Sequence, residues 1–139
     1  MSNQANLQIL NDLLNRLNYS LLQYMREGWP WANVTKPDQE RHRSVLDLAQ
    51  KQGFGVQRLA DFLLERNLIV RNSNYPFDGS TFNYTTLDYL KPKLIADQTD
   101  LVEQLKNAVS GVNGDSEAVR LLEQLLADEQ QTLVQVKAL

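Results

Sequence analysis

The sequence predicts an all-α protein: an antiparallel four-helix bundle whose helices run up, down, down and up. The 139-residue chain contains 24 leucines, which recur at spacings of three and four residues as in amphipathic helices. Turn-forming residues divide this pattern into four long segments. The outer two connections are short and the middle one is long, so one crossover between the second and third helices can span the bundle.

The first helix is predicted from about Ala5 to Glu27. It ends before Trp29-Pro30, because a residue that precedes proline avoids the α conformation. Its predicted buried positions are Leu7, Leu10, Leu14, Leu17, Leu21, Tyr24 and Gly28.

The second helix is predicted from about Pro37 to Arg66. Thr35 is a capping residue, an acidic residue follows three positions later, and proline is tolerated in a first turn. The predicted buried positions are Val45, Leu48, Gln52, Gly55 or Val56, Leu59, Leu63 and Arg66.

The long crossover is predicted over Asn67–Tyr84, which is rich in asparagine, proline and glycine signals. Thr85 begins the third helix, which Pro92 should kink, and the turn Gly111–Gly114 separates it from the fourth. The predicted buried positions of the third helix are Leu87, Leu90, Leu94, Asp97, Leu101, Leu105 and Ala108. Those of the fourth are Val119, Leu122, Leu126, Glu129, Leu133 and Val136.

Composition excludes several classes of protein. A net charge of −3 argues against nucleic-acid binding, and the longest aliphatic run, Leu68–Val70, is too short for a membrane span. The absence of cysteine excludes a disulfide scaffold, and the presence of only one histidine argues against a zinc hydrolase. One domain over residues 1–139 is expected, in the cytoplasm because the first residues do not resemble a signal peptide, and with no cofactor.

The predicted buried positions of each helix form an apolar stripe along one face. In three of the four helices this stripe contains polar residues near its middle. The polar residues are Gln52, Asp97, Glu129 and Thr132, and the first helix places Leu17 at the same level. Diiron carboxylate proteins hold their metals at this level of a four-helix bundle, with glutamate and Glu-x-x-His ligands. The stripes therefore predict a polar layer at the position of such a metal centre.

Short runs on three helices resemble bacterioferritin. They are Leu10–Leu14 followed by Gln23-Tyr24, then Arg58–Asp61, and Asp128–Thr132, which is similar to the Asp-Glu-x-x-His run of that family. The resemblance implies a ferritin-like bundle and extends to all four helices in pattern. The chain also resembles bacterial ferritin-like chains that lack the diiron ligands.

The resemblance also implies that the diiron site is degenerate. Its glutamate and histidine positions fall on Leu17, Gln52, Gly55, Asp97 and Thr132, and only Glu129 keeps the ligand type. No metal is therefore expected, with Gln52, Asp97, Glu129 and Thr132 as remnants of a site. Leu17, Tyr24 and Gly55 are expected to line the former site.

Several alternatives remain open from the sequence. Asp97 and Glu129 could bind one hard cation or support weak redox chemistry beside Tyr24, or could lie at the bundle edge, paired with polar neighbours or an arginine such as Arg58. A cavity near Gly55 could hold a small apolar ligand. These alternatives differ in whether the two carboxylates meet and in the cavity volume.

The leading hypothesis is a non-catalytic scaffold or interaction protein. Its expected partner is a second copy, as a homodimer, or another protein, and neither nucleic acid nor a membrane. Trp29 and Trp31 either plug the end of the bundle or form an interface. Further candidates for an interface lie off the main stripes: Ser20, Leu22, Met25 and Leu64.

Overall fold

A computed structural model describes residues 2–27, 36–66 and 87–139, and these residues are helical apart from short turns. The all-α class predicted from the sequence is confirmed for these residues. No helix among them is both long and apolar enough to cross a membrane. The helices are α1 Ser2–Asn18, α2 Leu21–Glu27, α3 Lys36–Glu65, α4 Leu87–Gly111 and α5 Ser116–Lys137.

The predicted first helix is broken. The expectation of one helix over Ala5–Glu27 is wrong, because Tyr19 and Ser20 separate α1 from α2. The break changes which face of the following turn is buried, so that Leu22 and Met25 are fully buried. They are therefore not surface residues, and neither is Ser20, whereas Leu64, proposed for the same interface, is exposed.

Two leucine-rich clusters form the interior, one toward each end of the bundle. Helices α1, α3, α4 and α5 supply the first cluster, and α2, α3, α4 and α5 supply the second. The first cluster includes Leu10, Leu14, Leu17, Leu59, Leu63, Leu101, Leu105, Leu122 and Leu125. The second includes Leu21, Leu22, Met25, Val45, Leu48, Ala49, Leu90, Leu94 and Val136.

The predicted stripes of α4 and α5 are displaced by one residue at some positions. On α5, Leu125 and Thr132 are buried, whereas the predicted Leu126 and Leu133 are only half-buried. Adjacent residues on a helix are about 100° apart, and both can satisfy a three-and-four spacing. The spacing alone therefore could not choose between them.

Arg66 joins the end of α3 to the start of α5. Its guanidinium lies 4.5 Å from the centre of the Phe62 ring and bonds the Asp115 carboxylate at 2.6 Å. Asp115 caps α5 by accepting a hydrogen bond from the Ala118 N–H at 3.1 Å. The hydrogen bond from Arg66 lowers the pKa of Asp115, so this cap stays ionised well into the acid range.

At the same end of the bundle, Asn6 joins α1 to the turn after α4. Its side-chain amide donates to the Asn113 carbonyl at 2.7 Å, and its side-chain oxygen accepts from the Asn113 N–H at 3.2 Å. Asn6 is buried, so both of its polar groups need these partners. The predicted crossover Asn67–Tyr84 and the aromatic residues Trp29 and Trp31 lie outside the described residues.

Candidate functional site: a buried polar layer

A layer of buried polar side chains lies between the two leucine clusters. We call it the polar layer. Each of its residues is at most 6% exposed, so each polar group needs a partner inside the protein. The helices α3, α4 and α5 and the junction between α1 and α2 supply them. The residues are Ser20, Gln23, Gln52, Gln98, Glu129 and Thr132.

Glu129 lies at the centre of the polar layer and is 3% exposed. One carboxylate oxygen accepts a hydrogen bond from Gln52 Nε2 at 2.8 Å, and the other accepts from Gln98 Nε2 at 3.3 Å. Gln98 Nε2 also donates to the backbone carbonyl of Glu129 at 3.2 Å. Two amides on two neighbouring helices therefore hold the carboxylate of α5.

The orientation of these amides follows from a chain of donors. Gln23 Nε2 donates to the Ala49 carbonyl at 2.7 Å and to Gln52 Oε1 at 3.0 Å. Ser20 Oγ donates to the same Gln52 oxygen at 2.8 Å. Because two donors hold that oxygen, the Gln52 NH2 group must face Glu129. The polar layer is therefore arranged to donate to the carboxylate.

Burial raises the pKa of Glu129, whereas the hydrogen bonds from Gln52 and Gln98 lower it. The negative charge of Asp128 raises the pKa further, and the positive charge of Lys51 lowers it. In the described part of the chain, no ion pair involves Glu129. Its charge is therefore stabilised by amide dipoles rather than by a contacting cation.

Asp97 does not join the polar layer. It is half-buried, its Oδ1 accepts from Arg16 at 2.8 Å, and its Oδ2 accepts from the Leu21 N–H at 2.9 Å. The neighbouring Gln98 supplies the buried side chain of α4 instead. Asp97 was predicted to be buried and Gln98 was not, so this prediction is wrong by one residue. The suggested pairing with an arginine does occur, but with Arg16, since Arg58 binds Asp128.

The former-site residues enclose very little space. A cavity of about 10 Å³ lies beside Glu129 and is lined by Leu17, Gly55 and Thr132 among others. That volume is close to the minimum for one water molecule. Tyr24 is not among the lining residues and packs against the second leucine cluster. The Thr132 hydroxyl donates to the Asp128 carbonyl of its own helix at 3.0 Å.

The donor set of the polar layer does not suit a metal ion. It contains one carboxylate, and the amide groups that reach this carboxylate present N–H donors rather than oxygen ligands. Both oxygens of Asp97 already accept from Arg16 and Leu21. Within residues 2–27, 36–66 and 87–139, no group of three or more histidine, cysteine, aspartate or glutamate residues could hold a metal.

No protein-family model, curated protein or solved structure matches the chain. The chemistry of the polar layer is therefore the main guide to its function. That chemistry is internal: its donors and acceptors satisfy one another across three helices and the α1–α2 junction. It offers no open nucleophile, acid or base to a substrate, because the carboxyl of Glu129 is enclosed.

Two glycines of α3 give a test of packing beside the polar layer. A Cβ atom at Gly55 would lie 3.1 Å from Leu125 Cδ2, whereas one at Gly53 would lie 3.2 Å from the end of the exposed Arg26 side chain. We expect Gly53→Ala to stabilise the protein by about 0.5–1 kcal/mol, since alanine favours a helix and Arg26 can move aside.

Gly55→Leu should destabilise the protein by about 1–3 kcal/mol, because it overpacks the approach of α3 to α5. Urea unfolding of both variants and of the parent measures the two effects. If Gly55→Leu is as stable as the parent, α3 and α5 are not in close contact at this level.

Proposed function

We propose that this protein is a non-catalytic scaffold or interaction protein with a ferritin-like bundle and a degenerate diiron site. One observation carries the proposal: Glu129, the remaining ligand-type residue, is held by two glutamine amides instead of other metal ligands. The hydrogen bonds close the bundle at this level and leave a cavity of about 10 Å³. A small-molecule site needs roughly 300 Å³ or more.

The order of the interhelical contacts supports the ferritin-like topology. Residue numbers rise along α1 as they fall along α4, from the Asn6–Asn113 pair to the Arg16–Asp97 pair. They likewise rise along α5 as they fall along α3, from Arg66–Asp115 to Lys51–Gln131. With α4 and α5 joined by a short turn, α1 and α5 run one way and α3 and α4 the other. This order supports the proposed up, down, down and up topology.

Metal content tests the non-catalytic part of the proposal. The purified protein is incubated with ferrous iron, manganese or zinc, desalted and analysed by mass spectrometry. We expect a stoichiometry near zero for each metal, because no set of anionic and imidazole ligands surrounds Glu129. About one metal per chain, lost in both Asp97→Ala and Glu129→Ala, would support the alternative of an altered metal site and contradict the proposal.

The proposed partner is a second copy of the chain, bound through the outer face of α3. Phe54 and Leu64 are 63% and 60% exposed and lie about 15 Å apart along this helix. Both are large apolar side chains with more than half of their surface exposed, and contact with a second copy would remove that surface from water. The cysteine-free composition supports a cytoplasmic location.

Light scattering after size exclusion should therefore give a dimer for the parent protein. Phe54→Gln and Leu64→Gln should each shift it toward monomer, whereas Val134→Gln, which changes an equally exposed residue of α5, should leave the dimer intact. A parent protein that stays monomeric at high micromolar concentration would contradict self-association.

A further inference from the structure

The short helix α2 covers one side of the polar layer. It has seven residues, fewer than an isolated helix needs for stability in water, so its contacts with α3 and α4 hold it in place. Leu21, Leu22 and Met25 supply the apolar part of these contacts. Gln23 supplies the polar part, through its bonds to Ala49 and Gln52.

At the junction between α1 and α2, side chains add to the backbone hydrogen bonds. The Tyr19 N–H donates to the Asn15 carbonyl and the Tyr24 N–H to the Ser20 carbonyl, each at 3.0 Å. At the start of α2, the Leu21 N–H donates a hydrogen bond to Asp97 Oδ2 at 2.9 Å. The Gln23 N–H is 3.3 Å from Ser20 Oγ, which accepts its hydrogen bond as an N-cap. The break contains neither glycine nor proline, so these contacts, and not local conformational preference, keep the chain bent there.

The same junction covers the side of Gln52 that faces away from Glu129. Ser20 and Gln23 both donate to Gln52 Oε1, and Gln52 in turn donates to the Glu129 carboxylate. If α2 lifts, Gln23 leaves Gln52 with the rest of the helix, and water can reach the carboxylate from that side. Hydration of a buried carboxylate is favourable, which offsets part of the loss of apolar contact.

We propose that α2 is a lid over the polar layer, hinged at Tyr19 and Ser20 and latched by the bond from the Leu21 N–H to Asp97. Its opening is a local event that leaves the first leucine cluster assembled, because α2 contributes no residue to that cluster. The open state exposes Glu129 and the apolar side chains of α3 and α4 that pack with α2 in the second leucine cluster, among them Val45, Leu48 and Leu90.

Hydrogen exchange of the Asp97→Ala protein tests the latch. We expect the amides of residues 21–27 to exchange about tenfold faster than in the parent, since a charge-assisted hydrogen bond is lost. The amides of α5 should exchange at the parent rate. Asp100→Ala is the matched control, because Asp100 also binds Arg16 but makes no hydrogen bond to α2.

Labelling of carboxyl groups with a water-soluble carbodiimide and an amine tests whether opening uncovers Glu129. The Glu129 carboxyl should be labelled faster in Asp97→Ala than in Asp100→Ala. An equal rise of exchange in every helix would mean global destabilisation and would overturn the lid. Faster exchange at residues 21–27 with unchanged Glu129 labelling would also overturn it.

Discussion

Gln52→Leu is expected to lower the free energy of unfolding at neutral pH by about 3–5 kcal/mol. Leucine removes the 2.8 Å donor to the Glu129 carboxylate, and it removes the acceptor of Ser20 and Gln23. Gln98 Oε1 loses the donor at 3.4 Å as well, so four buried polar groups lose a partner in a site that water barely enters. Leucine fills a similar volume, so the loss reflects the missing hydrogen bonds rather than a cavity.

Chemical denaturation of the purified variant measures this effect. Gln57→Leu is the matched control, because Gln57 lies on the exposed face of the same helix and bonds only Asp61 at 2.8 Å. The control should change stability by less than about 0.5 kcal/mol. A Gln52→Leu protein as stable as this control would show that the polar layer is not closed in solution.

Glu129→Gln is expected to change how stability depends on pH. Burial raises the pKa of Glu129 above its unfolded value, so its favourable contribution to stability is fully present below the unfolded pKa. That contribution is lost as the pH rises through the folded pKa. The stability of the parent relative to Glu129→Gln should therefore fall from acid to neutral pH, by about 1.4 kcal/mol for each unit of pKa difference.

Urea unfolding of both proteins from pH 4 upward gives this difference directly, because all other titrating groups are shared. The part of the stability difference that does not change with pH reflects the hydrogen bonds. The new glutamine can accept from Gln52, but its own NH2 group then faces the NH2 group of Gln98. Glu123→Gln, on the exposed face of α5, is the control and should show a pH-independent difference. A difference that rises with pH would mean that the hydrogen bonds outweigh burial.

Much of the fold follows from leucine spacing. The positions predicted as buried from Val45 to Leu63 are buried, with Gly55 rather than Val56, because the polar residues between them leave one clear apolar face. Ala49 was missed, and Arg66, predicted as the last buried position, is exposed because its guanidinium binds Asp115 and Glu117. The start of α5 was also predicted, since the turn Gly111–Gly114 separates it from the helix before it. Patterns of this kind depend on local sequence, which is why they could be interpreted without tertiary information.

The break at Tyr19 and Ser20 could not be predicted in this way. Nothing in the local sequence stops the helix, and the groups that hold the break are Asp97 and Gln52, far along the chain. The sequence also could not indicate which of Asp97 and Gln98 is buried. Either one fits the spacing from Leu94 to Leu101, and the partners that distinguish them, Arg16 for Asp97 and Glu129 for Gln98, lie far along the chain.

The candidate site was predicted in part. Gln52, Glu129 and Thr132 lie in the polar layer, as their positions in otherwise apolar stripes indicated. Ser20 and Gln23 were missed because they reach the layer only through the broken helix. The sequence offered one indication, since the polar residues Ser20 and Gln23 flank Leu21 and Leu22. A continuous helix would have placed this polar pair partly on the surface.

The polar layer also fixes the axial alignment of the helices. Stripes of leucine repeat at nearly the same interval along each helix, so a slide by one turn, about 5.4 Å, would still match apolar faces. Such a slide would carry Glu129 into one of the leucine clusters and separate it from Gln52 and Gln98. A single buried carboxyl with its amides thus makes every shifted packing of this leucine-rich chain unfavourable, and the helices are held in one axial register.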